Sequence, residues 1–229
     1  MAYDLQPLLA RLAEMADEQY RAFNERLTPG AEGTSLGVRL PALRALAKEI
    51  ARGDAAGFLD ASRASGVHEL NLLHAMVLAH QPWPERMAGL KVFVPAIGNW
   101  AVCDVLCADL KPKPGELGEL AAFLESCIAT GEEFQVRFGY VARMLYYRGE
   151  DWIDETFRLF AAFRHEGYYA RMGAAWGISM LFLCQRERTL RFLETNSLDR
   201  FTHNKAIQKA IESRRVTDED RAVLRALRR

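Results

Sequence analysis

In the stretch NWAVCDVLCADL, residues 99–110, an apolar run able to form a core helix carries Trp100 and, four residues on, Asp104. At about 100° per residue, Cys103, Leu106, Cys107 and Leu110 form one apolar arc, and Trp100 and Asp104 share a flank of it. The acid therefore falls at the margin of the buried face. There it escapes the cost of being buried alone and can line a cleft, where a carboxylate does acid–base or electrostatic work. The alternative is a solvated acid beside a structural tryptophan.

Two further side chains raise the same question. Arg137 interrupts the apolar run VRFGYVARMLYY, and an arginine among such neighbours takes a fixed partner, a carboxylate or a phosphate. Trp176 lies in RMGAAWGISMLFLC beside Gly173, Ala174, Ala175 and Gly177, small residues that allow a second helix or a ligand to approach. Core packing would serve the tryptophan equally well, and a structural salt bridge the arginine. The basic stretch FTHNKAIQKAIESRRV places Lys205 and Lys209 one turn apart, ahead of Arg214 and Arg215, a set able to follow a polyanion backbone. A solvated face, with ion pairs to the acids from Asp218 to Asp220 weakening the set, is the alternative.

Other chemistries lack their residues. GAEGTSLG has neither the lysine nor the preceding strand of a phosphate loop. His68, His74 and His80 step by six, which separates them around a helix and makes them poor metal ligands. No GxSxG, CxxC or HExxH occurs. No metal site and no cofactor is expected.

The elements that must position these residues are helices. Alternating strand patterns are scarce, and Ala, Leu, Arg and Glu are abundant. The periodicity predicts helices over 3–26, 40–53, 55–64, 68–79, 84–95, 99–109, 115–129, 133–147, 151–164, 168–184, 187–194, 198–213 and 217–227. The turns between them are TPGAEGTSLG, HQPWP, KPKPG, ATGEE, RGED and RHEG. Pro41 suits the first turn of its helix, and Gly131 and Gly167 suit helix ends. No linker is long enough to divide the chain, so a single domain over residues 1–229 is expected. Arg137, Arg171 and Lys205 lie 34 residues apart, and Gly139 and Gly173 keep the same step. That is the length of a two-helix solenoid repeat, in which equivalent positions line one surface. Coincidence among 30 basic residues is the other reading.

The 30 basic and 30 acidic residues cancel. Their distribution does not: residues 161–229 hold 14 Lys and Arg against 8 Asp and Glu, so a neutral chain can still present a basic face. The four cysteines show no disulfide or zinc spacing, which favours a reducing compartment. The acidic, amphipathic start is unlike a signal peptide. No apolar run reaches the roughly 18 residues of a membrane span. A soluble chain in the cytoplasm, with no membrane partner, is expected.

Together these residues resemble the AlkD-like DNA alkylation-repair family, the HEAT-like-repeat alkylpurine DNA glycosylases. The similarity runs from LGVRLPALRALAKEI through NWAVCDVLCADL and VRFGYVARMLYY to RMGAAWGISMLFL and THNKAIQKAIESRRV. Trp100, Asp104, Arg137 and Trp176 match, in order and context, the family's catalytic Trp and Asp one turn apart, its later Arg and its second Trp. The resemblance implies an all-α fold, an α-solenoid of antiparallel helix pairs with a concave basic face. It implies double-stranded DNA as partner, alkylated or branched, and a monomer associated with the bacterial nucleoid. Arg171, Lys205, Lys209, Arg214 and Arg215 would then contact DNA. The implied activity is hydrolysis of the N-glycosidic bond of N3- or N7-alkylated purines by a monofunctional glycosylase without lyase activity. Asp104 would stabilise oxocarbenium character and position water, the two indoles would pack on the sugar, and Arg137 would hold a phosphate or orient Asp104. The alternatives are a non-catalytic member recognising branched or damaged DNA, and a solenoid scaffold for another protein.

Overall fold

A computed structural model describes residues 3–28, 33–63 and 65–229. Residues 29–32, inside the turn TPGAEGTSLG, and Ala64, at the end of the helix expected over 55–64, lie outside the described residues. Among the described residues there are fourteen α-helices, two short 3-10 turns and no strand. They fall into two compact units, Met1–Lys111 and Pro112–Arg229. The first holds α1 (Gln6–Glu14), α2 (Glu18–Leu27), α3 (Leu40–Arg52), α4 (Ala55–Ser62), α5 (His68–Ala79), α6 (Trp83–Phe93) and α7 (Trp100–Asp109). The second holds α8 (Leu117–Ala129), α9 (Glu133–Tyr146), α10 (Glu150–Ala161), α11 (Tyr168–Phe182), α12 (Arg186–Thr195), α13 (Arg200–Glu212) and α14 (Asp218–Ala226).

Within each unit every second helix stacks on the next. In the first, α3 packs on α5 and α5 on α7, with α4 and α6 against α5. HELNLLHAMVLA has apolar residues all round, and α5 is accordingly buried on every side except at Asn71. In the second unit α9 packs on α11 and α11 on α13, with α8 and α10 against α9, α12 against α11 and α14 against α13. This is the helical-repeat arrangement that the sequence predicts. The 34-residue step is real in it: Arg137, Arg171 and Lys205 are the fifth, fourth and sixth residues of α9, α11 and α13.

The two glycines on that step are packing positions. A Cβ on Gly139 would stand 2.5 Å from Ile128 Cγ1 of α8, and one on Gly173 3.1 Å from Arg137 Cγ of α9. Each lets its helix approach a neighbour closely, α8 in the case of Gly139 and α9 in the case of Gly173. On the other side of the unit the same step joins helices by charge. Arg188 of α12 reaches Asp154 of α10 at 3.0 Å, and Arg186 reaches Asp220 of α14 at 2.7 Å.

One expectation fails. The helix predicted over 3–26 is two helices, α1 and α2, separated at Met15–Asp17. The amphipathic pattern runs through this point, but Asp17 leaves the helical conformation and its side chain accepts the backbone N–H of Tyr20 at 2.9 Å, capping α2. Its own N–H is drawn to Gly37 O at 3.1 Å, and its carboxylate to Arg39 at 2.8 Å. These contacts to a distant turn outweigh one more turn of helix.

Candidate nucleic-acid interface

Asn99 starts α7, its side-chain oxygen accepting the N–H of Val102 at 3.1 Å. From that cap the helix turns Val102, Cys103, Leu106 and Cys107 into the core and leaves Trp100 and Asp104 half-buried on the flank, as the periodicity predicts. The indole of Trp100 is fixed: Nε1 donates to Leu27 O at the end of α2, at 2.8 Å. Asp104 follows one turn later.

Sequence reading missed the groups that hold this end of the unit. Glu69, at the start of α5, is 1% exposed and its carboxylate collects the segment leading into α3. It accepts N–H groups from Leu36, Gly37 and Val38 at 2.9, 2.8 and 3.2 Å and the hydroxyl of Ser35 at 3.1 Å. Gly37 has φ of +85°, and a Cβ there would meet Asp17 O at 2.5 Å, so only glycine suits this turn. The neighbouring His68 donates its N–H to Thr34 O at 3.0 Å and its ring lies 3.5 Å from the amide of Asn99. Burial lowers the His68 pKa, against an opposing pull from Glu69. VHEL reads in sequence as an ordinary acidic first turn; nothing local announces a clamp on residues more than thirty positions away.

In the second unit Arg137 is 6% exposed. Its stem lies over Gly173, and its guanidinium donates to Tyr169 O in the first turn of α11 at 2.8 Å. A backbone carbonyl thus stands among its partners, a kind that neither of the expected alternatives included. Glu133 accepts the N–H of Tyr169 at 2.6 Å, and Phe134 stacks on the Tyr169 ring at 5.4 Å. The relation recurs one repeat later: Arg171 reaches toward α13 and lies over the ring of Phe201 at 4.6 Å. Lys205, next on the step, donates to Gln208 of its own helix at 3.0 Å.

Trp176 sits one turn beyond Gly173 on α11 and is half-buried, while Ala174, Ala175 and Gly177 beside it are buried. Gly177 faces Phe160 of α10 and Met144 of α9. The small residues therefore serve helix packing and leave the indole partly open.

Lys205 also lines an open groove of about 670 Å³ with Arg200, Arg228 and Arg229, floored by Phe201 and edged by Asn204 and Gln208. Lys209 is half-buried, and Arg214 and Arg215 are exposed. Two of the acids that would weaken this set pair elsewhere: Asp218 with Arg221 at 2.7 Å and Asp220 with Arg186. The cationic surface is therefore broader than the sequence indicated, since Arg200, Arg228 and Arg229 join it through tertiary packing. Among the described residues no three His, Cys, Asp or Glu side chains group where they could hold a metal ion, and no helix is long and apolar enough to cross a membrane.

Stacked helix pairs on a fixed step, with a row of cations on successive helices, place the protein among the α-helical repeat proteins. More narrowly, the chain belongs to the DNA alkylation repair enzyme family, which matches it over residues 8–211. That family implies a role in DNA repair and DNA as the partner. No curated protein and no solved structure matches the chain.

Proposed function

We propose that the protein excises N3- or N7-alkylated purines from duplex DNA by hydrolysing the N-glycosidic bond, without cutting the strand. The observation that carries this reading is the Trp100–Asp104 pair. The two are half-buried and one turn apart on a helix whose other face is closed, in a chain of the DNA alkylation repair family. Family membership supports DNA as the partner, and the pair offers groups suited to the proposed chemistry.

Alkylation at N7 or N3 makes the purine cationic, so its bond to C1′ breaks with the electron pair returning to the base. Positive charge then develops on the deoxyribose. The Asp104 carboxylate stabilises that charge, and it accepts a proton from the water whose oxygen bonds to C1′. The products are the neutral alkylated base and an abasic site. Trp100 and Trp176 offer π faces to the cationic sugar. Arg137 is assigned to a backbone phosphate, and Arg171, Lys205, Lys209, Arg214 and Arg215 to further phosphates that position the duplex. No lysine nucleophile is invoked, which is why a lyase step is not expected.

The test is excision from a duplex oligonucleotide bearing one 7-methylguanine, with abasic sites scored by alkaline cleavage. Wild type should give product, and Asp104→Asn should lose it by on the order of 10²-fold or more while still binding DNA. Undiminished activity in Asp104→Asn would remove the carboxylate from the mechanism. Binding that weakens with salt, without product from wild type, would make the protein a non-catalytic DNA-binding member.

A further inference from the structure

The geometry points to a site in the second unit for an unpaired stretch of DNA strand, with a base stacked on Tyr168 and the phosphates against the cations around Phe201. Three successively stacked helices each carry a ring within their first two residues and a cation one turn on. The pairs are Phe134 and Arg137 on α9, Tyr168 and Arg171 on α11, and Phe201 and Lys205 on α13. Spacings of three or four residues put ring and cation on one face of each helix. The rings also meet from helix to helix. Phe134 stacks on Tyr169 at 5.4 Å, Tyr169 meets Tyr168 edge-on at 5.2 Å, and Tyr168 lies 6.0 Å from Phe201.

The open end of this row is Tyr168. It is 51% exposed, and it meets its two neighbours at 86° and 55°, so neither lies flat on it. Phe201 beside it has the Arg171 guanidinium over its ring at 4.6 Å and forms the floor of the groove of about 670 Å³. No Asp or Glu lines that groove among the described residues. Arg200 donates to the main-chain oxygen of Arg229 at 2.8 Å; it balances whatever charge that oxygen carries and is not counted. Lys205 is bonded to the neutral amide of Gln208 at 3.0 Å, and only through that amide, at a further 2.8 Å, to Glu212. The Arg229 guanidinium donates to the carbonyls of Leu193 and Asn196 at 3.4 and 2.8 Å, and Arg228 is exposed. Arg171 Nε is buried without a hydrogen-bond partner among the described residues. Amides and carbonyls orient a cation without cancelling its charge. Arg171, Lys205, Arg228 and Arg229 therefore set four like charges about one aromatic floor, an arrangement that a polyanion relieves.

The rings decide which polyanion. A duplex keeps its bases stacked inside and would satisfy the cations alone. An open ring among phosphate-binding groups gains contact only from a base that has left the stack. Such stacking tolerates any sequence, because every base has a π face. The occupant is thus the unpaired strand of a gap, a flap or a frayed end. The inference rests on DNA being the partner; it does not depend on Asp104 or on excision.

The test titrates the full chain with three labelled DNAs: a blunt duplex, the same duplex with a short thymidine tail, and the same duplex with an abasic tail of equal length. The abasic tail carries the phosphates without the bases. Wild type should bind the thymidine tail about fivefold or more tighter than the abasic one, the low end for a single stacked base. Tyr168→Ala should bring the two tails level, Tyr168→Phe should keep them apart, and neither should alter blunt-duplex binding. Arg228→Gln should lower the salt slope of the thymidine-tailed duplex by about 0.7, the share of one single-strand phosphate. Equal affinity of wild type for the two tails would make this a site for phosphates only and overturn the proposal. So would a preference that survives Tyr168→Ala, or a salt slope indifferent to Arg228→Gln, since either places the strand elsewhere. Wild type that binds none of the three DNAs would remove DNA as the partner and this inference with it. Excision of 7-methylguanine without a preference for the thymidine tail would overturn the inference and leave the glycosylase reading standing.

Discussion

Removing the Glu69 carboxylate should loosen the turn that leads into α3, and the cost can be worked group by group. Oε1 accepts from Ser35 Oγ, Gly37 N and Val38 N, and Oε2 from Leu36 N. In Glu69→Ala the Gly37 N–H retains a substitute, since Ser35 Oγ is 3.3 Å away. Val38 is buried and loses its acceptor, which costs about 1–3 kcal/mol. Leu36 is half-buried, so water recovers part of its loss. The total is about 2–4 kcal/mol. In Glu69→Gln one oxygen can keep the three bonds at Oε1, but the new NH2 then faces the Leu36 N–H, donor against donor. That should cost about 1–2 kcal/mol. Urea unfolding of the full chain gives the stability change, and hydrogen exchange at the Leu36, Gly37 and Val38 amides locates it. The expected order of stability is wild type, then Gln, then Ala, with the three amides losing protection. If Glu69→Ala unfolded within about 0.5 kcal/mol of wild type, below even the low estimate for one orphaned N–H, and those amides stayed protected, the clamp would carry no weight.

Two further predictions concern buried cations and imidazoles. Arg143 is 0% exposed, bonded through Nε to Thr156 at 3.1 Å and flanked by the rings of Tyr147 and Trp152, and neither terminal nitrogen has a hydrogen-bond partner among the described residues. Burial lowers its pKa. Arg143→Met should therefore stay within about 1 kcal/mol of wild type or exceed it, while Arg143→Ala should lose about 2–4 kcal/mol to the cavity; a thermal or urea series reads both, and a Met variant as unstable as Ala would show that the charge itself stabilises. His74 is pushed down to about 4, chiefly by burial and then by Arg63. Ser62 donates its hydroxyl to Phe58 O and so receives the His74 ring N–H. Because the unfolded chain protonates this histidine at higher pH, its contribution is complete above pH 6.5 and is lost as pH falls toward 4, by an amount on the order of 3 kcal/mol. His74→Phe should flatten stability across that window, and an unchanged pH profile would count against a neutral buried imidazole.

How much the sequence discloses depends on the range of the signal. Helix boundaries in the second half are set by local period and turn residues, and α9, α11 and α13 begin within two residues of expectation. The 34-residue step makes Arg137, Arg171 and Lys205 legible as a row, because one period fixes all three. What each cation touches is not legible, since Tyr169 O and the Phe201 ring come from the adjacent repeat. The flank position of Trp100 and Asp104 follows from helix geometry alone, whereas the bond from Trp100 to Leu27 spans 73 residues. The break at Asp17 was encoded, as an N-capping acid before EQY, but the apolar period ran through it and outweighed the cap. Glu69 left no trace because its partners come from a separate element.

The packing of α9 on α11 and α11 on α13 has a consequence for how the second unit comes apart. Its energy is carried by nearest neighbours, as in a one-dimensional lattice, so disorder should spread from an end one layer at a time. The α13–α14 pair is stacked on one side only, while α11 is covered from both. Fraying that pair would strip one face of α11, and Ala174, Ala175 and Ile178 on that helix are almost wholly shielded from water in the intact stack. The cations of α13 and the groove beside it would thus go with that pair, and a polyanion lying across them would hold the layer in place.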